Sequence, residues 1–321
     1  MKKCATFAIG LFSILMPFSA IEMTSLQNVK FVLADKAKGK ELLTTEDDFV
    51  LAQSEFDRSA RLKVSRTVSK EEYLTFVGEQ AMDWTKDEKK TFEANFKKIK
   101  ELGKKYNLNY PKTVYFVKTT GREEGMSAYC RSQNIVVIPQ GMAANKDALL
   151  NLCIHELFHI FSKNNLDVRE KLYSLVGYYK TGELKLPEEL GKLKITNPDS
   201  VVNNYYFKGT VNGQSINVMP LLIAASPYDE KRGGEFFEYM IFTFGEVNTG
   251  DVCTLAMENE NPKLIQFEQV SDYMEKVGQN TDYIIHAEEI LADNFVILLN
   301  NKKNIPSPEL TASIKEVLEL K

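Results

Sequence analysis

Residues 155 to 159 read His155-Glu156-Leu157-Phe158-His159, and this five-residue window holds two of the chain's three histidines. On an α-helix, residues four apart lie one turn apart on the same face, so both imidazoles reach a single metal ion. Glu156 sits beside them, where it can take a proton from water. Three histidines scattered at random would give this pattern with odds on the order of a few per thousand. The competing reading is a pair of core histidines satisfied by backbone carbonyls. Metal ligation is preferred, because the segment from Ala148 to Phe161 is apolar and an unpaired polar group buried there is costly.

Zinc, the ion this pattern implies, takes three protein ligands in a catalytic site and keeps a fourth position open, so one more His, Glu or Asp is required. The segment 283–299 reads as a second apolar helix and carries His286, Glu288, Glu289 and Asp293 near its start. At helical spacing His286, Glu289 and Asp293 share one stripe, and Glu288 is expected to point elsewhere.

His-Glu-x-x-His followed by Glu289-Ile-Leu-Ala-Asp293 resembles the gluzincin, or thermolysin-like, group of zinc metallopeptidases. The resemblance rests on these two short segments, which lie about 130 residues apart. It implies that His155, His159 and Glu289 bind Zn²⁺, that Glu156 is the general base, and that Asp293 hydrogen-bonds a ligand imidazole from behind. His286 is left with three readings: third ligand in an all-histidine site, donor to the oxyanion that develops during attack, or a helix-start residue at the edge of the site; the oxyanion role is favoured over ligation because Glu289 and Asp293 then both have a role. Tyr205, Tyr206 and Tyr283 are weaker candidates for a phenol at the transition state.

These residues need elements to hold them. The motif helix is expected from Asp147 to Asn164, with no Gly or Pro inside. Before it come helices over 71–82 and 86–106, a strand over 113–118, a turn at Gly121–Gly125, and a hairpin formed by 126–130 and 135–139. Helix, strands and then motif helix is the order the resemblance implies, with the last strand before the helix at the sheet edge, where extended peptide could add as one more strand, against the equal alternative of an ordinary hairpin. Asn212-Gly213 predicts a second hairpin between 203–211 and 215–222, Phe236–Tyr239 reads as a strand, a helix is expected near 168–179, and a last helix follows from Glu309 to Leu320. The expected fold class is α+β: a zincin-like small mixed sheet packed on the motif helix, then a mostly helical part carrying the third ligand, with a β-hairpin-rich insert. Its divisions are a signal peptide over 1–20 and a single domain over 21–321. That domain comprises an N-terminal arm with short strands (21–66), the sheet and motif helix (67–165), an insert lobe (166–280) and the third-ligand and C-terminal helices (281–321).

A hydrophobic content of 44%, a charged content of 26% and a net charge of −4 are ordinary for a globular protein and give no bulk attraction to nucleic acid. Met1-Lys2-Lys3, the apolar run from Ala5 to Met16 and the small residues Ser19-Ala20 look like a secretory signal, so an extracytoplasmic location, periplasmic or secreted, is expected with no stable membrane span after its removal. Cys130 with Cys153 is the disulfide pair to test first, against the equal alternative of buried free thiols. The expected activity is hydrolysis of peptide bonds in a peptide or protein substrate. A zinc hydrolase of a non-peptide amide, or a binding protein with a retired metal site, are the rivals.

Overall fold

In strand segments buried on both faces, apolar residues run on without polar alternation. Ile135–Pro139 is such a run, with every residue buried, and Thr113–Thr119 is buried from Phe116 onward. They form the centre of a five-stranded sheet in the computed structural model, which describes residues 21–320; the signal-like segment 1–20 lies outside the described residues. We number its strands β1 (Lys30–Leu33), β2 (Ala81–Met82), β3 (Thr113–Thr119), β4 (Tyr129–Arg131) and β5 (Ile135–Pro139). The order is β1-β3-β5-β4, with β2 pairing β3; β1, β3 and β5 run parallel, and β4 returns antiparallel along β5. The hairpin is as expected, but the strand at the sheet edge is its first arm, β4, and not the last strand before the motif helix.

Side chains alternate across this sheet and bury different partners on each face. Val114, Phe116, Val136 and Ile138 pack in one core with Phe92, Phe96, Leu149, Cys153 and Ile154. Val117, Ile135 and Val137 pack on the other side with Leu43, Phe49, Val50, Tyr73 and Val77. Short strands are present as expected, at Met23–Ser25 and Lys30–Leu33, but residues 21–66 also include helices the sequence reading lacked: α1 (Lys36–Leu43), α2 (Asp48–Ala52) and α3 (Glu55–Leu62). These helices are too short for a repeating apolar stripe to show in the sequence. Each is started by a side-chain cap, from Asp35, Asp47 and Ser54 respectively. Next come α4 (Lys70–Glu79) and α5 (Lys86–Gly103), and then the motif helix α6 (Lys146–Asn164), capped by Asn145.

After α7 (Leu166–Leu175) the chain enters a seven-stranded sheet of β6 (Tyr178–Lys180), β7 (Leu184–Lys185), β8 (Tyr205–Val211), β9 (Gln214–Ala224), β10 (Met240–Asn248), β11 (Cys253–Leu255) and β12 (Leu264–Ile265). The β8–β9 hairpin turns at Asn212 and Gly213, both at positive φ, the geometry that Asn-Gly favours. Phe236–Tyr239 is a 3₁₀ turn and not a strand, because Glu235 and Glu238 bond reciprocally across it; the strand starts at Met240. The chain ends in α8 (Ala287–Leu299) and α9 (Pro308–Leu318).

Helix α8 lies against α6, with the Phe158 and Phe295 rings 5.5 Å apart and Leu157, Ile160, Ile290 and Leu291 in the same buried cluster. Burying each such side chain contributes about 1.5–3 kcal/mol, which fixes the crossing that brings the two polar stripes together. Cys130, Cys153 and Cys253 are free and buried, so the Cys130–Cys153 disulfide is not formed. Among the described residues no helix is long and apolar enough to cross a membrane.

Candidate metal centre

The crossing of α6 and α8 sets His155 and His159 opposite Glu288, Glu289 and Asp293. His155 Nδ1 lies 2.9 Å from Asp293 Oδ1, and its Nε2 lies 3.3 Å from Glu289 Oε2. His159 Nδ1 lies 3.1 Å from Glu288 Oε1, and its Nε2 lies 3.6 Å from the same Glu289 oxygen with no hydrogen-bond partner. A carboxylate facing Nδ1 fixes that nitrogen as the N–H donor and leaves a lone pair on Nε2. Two lone pairs and a carboxylate oxygen therefore converge. Such a meeting of acceptors in a buried site is satisfied by positive charge, either protons on the imidazoles or a bound metal ion.

The spacing fits a metal. A tetrahedral ion with bonds of about 2.0–2.2 Å separates its ligand atoms by roughly 3.3–3.6 Å, which matches the two imidazole-to-carboxylate distances. Glu289 Oε1 accepts from Asn197 Nδ2 at 2.7 Å, so Oε2 alone faces the histidines.

The titration of these groups reports the same demand for positive charge. Burial pulls the His155 pKa down, but its hydrogen bonds to Asp293 and Glu289 outweigh this and hold it well above the usual histidine value. Burial also works against His159⁺, yet the Asp199 and Glu289 carboxylates raise its pKa to about 9. Glu289 is buried, which favours the neutral acid, and the two imidazoles nonetheless bring it to about 2.

The second ring of partners is dense. Glu288 also accepts from Ser162 Oγ at 2.8 Å and from the Tyr173 hydroxyl, with Arg169 Nε 3.8 Å away. Asp293 accepts from Thr281 Oγ1. The expectation that Glu288 points elsewhere is thus corrected: the helix is buried nearly all round, and Glu288 and Glu289 each meet a different histidine.

His155, Glu156, Asp199, Tyr283, Glu289 and Asp293 line one open cavity of about 540 Å³. Burial, followed by the nearby Asp199 carboxylate, raises the Glu156 pKa to about 7. Cys130 Sγ sits 3.4 Å from Glu156 Oε2, and Cys130, Glu156 and Asp199 form a tight buried group at the cavity wall. The Tyr283 ring stacks on His155 with centroids 6.5 Å apart, and the Glu289 charge, then burial, pushes its phenol pKa upward.

His286 is not among the residues lining this cavity, which argues against the ligand and oxyanion roles and fits the helix-start reading. Its Nδ1 caps α8 by accepting from the Glu288 amide at 3.1 Å, its Nε2 faces Ser200 Oγ at 3.3 Å, and its ring packs near Tyr173 and Tyr178. Burial lowers its pKa to about 4, so it stays neutral. The sequence reading also missed Asn197, Asp199 and Tyr173, which carry no local signal. Glu288 was recoverable, since an acid pair at the head of an all-apolar helix has no solvent face to occupy.

Comparisons with protein-family models, with curated proteins and with solved structures found no match.

Proposed function

We propose that this chain is a zinc metallopeptidase of gluzincin type with a zincin-like core, in which His155, His159 and Glu289 hold the ion. The observation that carries this reading is the convergence of three acceptor atoms, 3.3 and 3.6 Å apart, with both Nδ1 nitrogens held by carboxylates. When bound, zinc supplies a Lewis acid that polarises a carbonyl and lowers the pKa of water.

The chain's own groups supply the rest. Glu156 takes the proton of the attacking water and returns it to the leaving amine; a carboxyl group poised near pH 7 serves both transfers. The Tyr283 hydroxyl donates to the oxyanion as the carbonyl becomes tetrahedral. The signal-like residues 1–20 argue for an extracytoplasmic site of action.

Glu156→Gln tests this reading. The variant is expected to keep its zinc and lose peptide hydrolysis by at least about a thousandfold, measured on a mixed peptide library. Undiminished turnover by Glu156→Gln would end the assignment.

A further inference from the structure

One loop of the insert lobe reaches the metal centre from outside both motif helices. Asn197 donates to Glu289 Oε1 at 2.7 Å, Asp199 accepts from the Cys130 amide at 2.8 Å, and Ser200 Oγ meets His286 Nε2 at 3.3 Å. These three residues belong to no helix or strand, so the loop must be fixed by other means before Asn197 can hold a carboxylate in place.

The fixture comes from the N-terminal helical layer. The amide of Thr196, next to Asn197, donates to Asp57 Oδ1 and Oδ2 at 3.1 and 3.2 Å. The Thr196 hydroxyl donates to Ala52 O at 3.2 Å, and Ser54 Oγ donates to Lys194 O at 2.6 Å. Ala52, Ser54 and Asp57 belong to the end of α2 and the start of α3. Asp57 is itself held: its side chain and that of Arg61 are wholly buried and pair at 2.7 Å. Arg61 Nε and Nη2 donate to the two Glu124 oxygens at 2.7 and 2.5 Å, and its guanidinium lies 5.3 and 4.6 Å from the Phe49 and Phe236 ring centres.

Burying three charges is a poor way to gain stability, since an apolar trio of similar volume is commonly as stable or more so. Helix α3 does not need the trio for its start either. Its capping box uses Ser54 Oγ and Asp57 Oδ2, which leaves Oδ1 to face Arg61 and Thr196. What the trio adds is direction, because a forked guanidinium fixes the plane of the carboxylates it meets. That fixed plane meets the Thr196 amide, and the next residue along the chain is the one that holds Glu289.

We propose that Asp57, locked by Arg61 and Glu124, is a positioning residue for the metal centre: through Thr196 and Asn197 it keeps Glu289 Oε1 occupied and Oε2 alone toward the histidines. The N-terminal layer is thereby part of the site's machinery as well as a cover for the sheet. The inference rests on the metal-binding part of the proposed function, and metal alone tests it, so peptide hydrolysis does not enter.

Zinc affinity is measured by competition with a chelator for the wild type, Asp57→Asn, Asn197→Ala and the double variant, with Tm recorded for each. Asn197→Ala should lower affinity about tenfold and Asp57→Asn about threefold to tenfold, the scale of losing an outer partner of a metal ligand. Both changes act along one path, so the double variant should match Asn197→Ala within about twofold. Val77→Ala, a cavity in the core of the same layer, should lower Tm and leave affinity unchanged. With Co²⁺ in place of zinc, Asn197→Ala and Asp57→Asn should both weaken the visible absorption, because a Glu289 released at Oε1 can bind through both oxygens and a higher coordination number dims the band. Asp57→Asn/Arg61→Met/Glu124→Leu removes all three charges together and leaves none buried alone. It should fold, show the same loss, and replace Asp57→Asn in the comparison if that variant does not fold. Affinity and absorption unchanged in the Asp57 variants, losses that multiply in the double variant, or an equal loss in Val77→Ala would overturn the positioning role and leave the metal centre standing. A wild type that binds neither ion would overturn the metal centre and this inference with it.

Discussion

The Glu288 carboxylate lies 3.1 Å from His159 Nδ1, on the edge of the ring away from the nitrogen that faces Glu289. Asp293 stands in the same relation to His155 at 2.9 Å. Carboxylates so placed fix tautomer and ring orientation and make Nε2 more basic.

Glu288→Gln and Asp293→Asn are therefore each expected to weaken zinc affinity by about 10–100-fold, measured by competition with a chromophoric chelator. Glu288→Gln should be the larger effect, because Glu288 is fully buried with four partners and the Asp293 side chain is 35% exposed. Unchanged affinity in both variants would mean that the histidines are not oriented for a metal.

Metal-free protein should lose thermal stability as pH rises between about 6.5 and 9. His155 and His159 have folded pKa values raised above 6.5, so their contribution is complete below that pH and disappears as pH passes through the folded values, about 9 for His159. Glu289 acts at the other end: lowered from 4.5 to about 2, its contribution is present above 4.5 and is lost as pH falls toward 2. Zinc must displace the histidine protons, so the rise in Tm on adding zinc should be greater at pH 8.5 than at pH 6. Scanning fluorimetry at the two values checks this, and an increment that ignores pH would count against it.

His286→Ala removes the α8 cap and should cost about 0.5–2 kcal/mol of stability while leaving one zinc bound. His286→Asn, which keeps a capping acceptor, should recover most of the loss. A fall in kcat with stability and metal content intact would instead restore the transition-state role first expected of His286.

Tyr283→Phe is expected to lower kcat about 10²–10³-fold with little change in KM, the pattern of a donor used only in the transition state. An unchanged kcat would reduce Tyr283 to a wall of the cavity.

The motif helix, the central strands and the Asn212-Gly213 hairpin were legible because each carries its own local signal: an apolar period, a β-branched run, a turn that needs positive φ. Helices α1 to α3 were not, since 5 to 8 residues hold too little periodicity and only their caps announce them. In the candidate site, the residues on α6 and α8 could be read from helical spacing. Asn197 and Asp199 could not, because they reach Glu289 and the Cys130 amide through a loop whose position depends on the insert lobe. The His286 error has a specific cause. The residue shares the Glu289–Asp293 stripe by arithmetic, but at the N-cap its backbone is extended, with φ −159° and ψ 152°, and the helical arithmetic no longer applies.

The central claim is that two imidazoles of α6 and one carboxylate of α8 grip a single ion. Metal analysis of the wild-type protein and of Glu289→Ala, after zinc loading and desalting and with circular dichroism confirming an unchanged fold, tests it directly. The account predicts one equivalent of zinc in the wild type and a small fraction of that in the variant. A wild type that retains none, or a variant that retains a full equivalent, would contradict it.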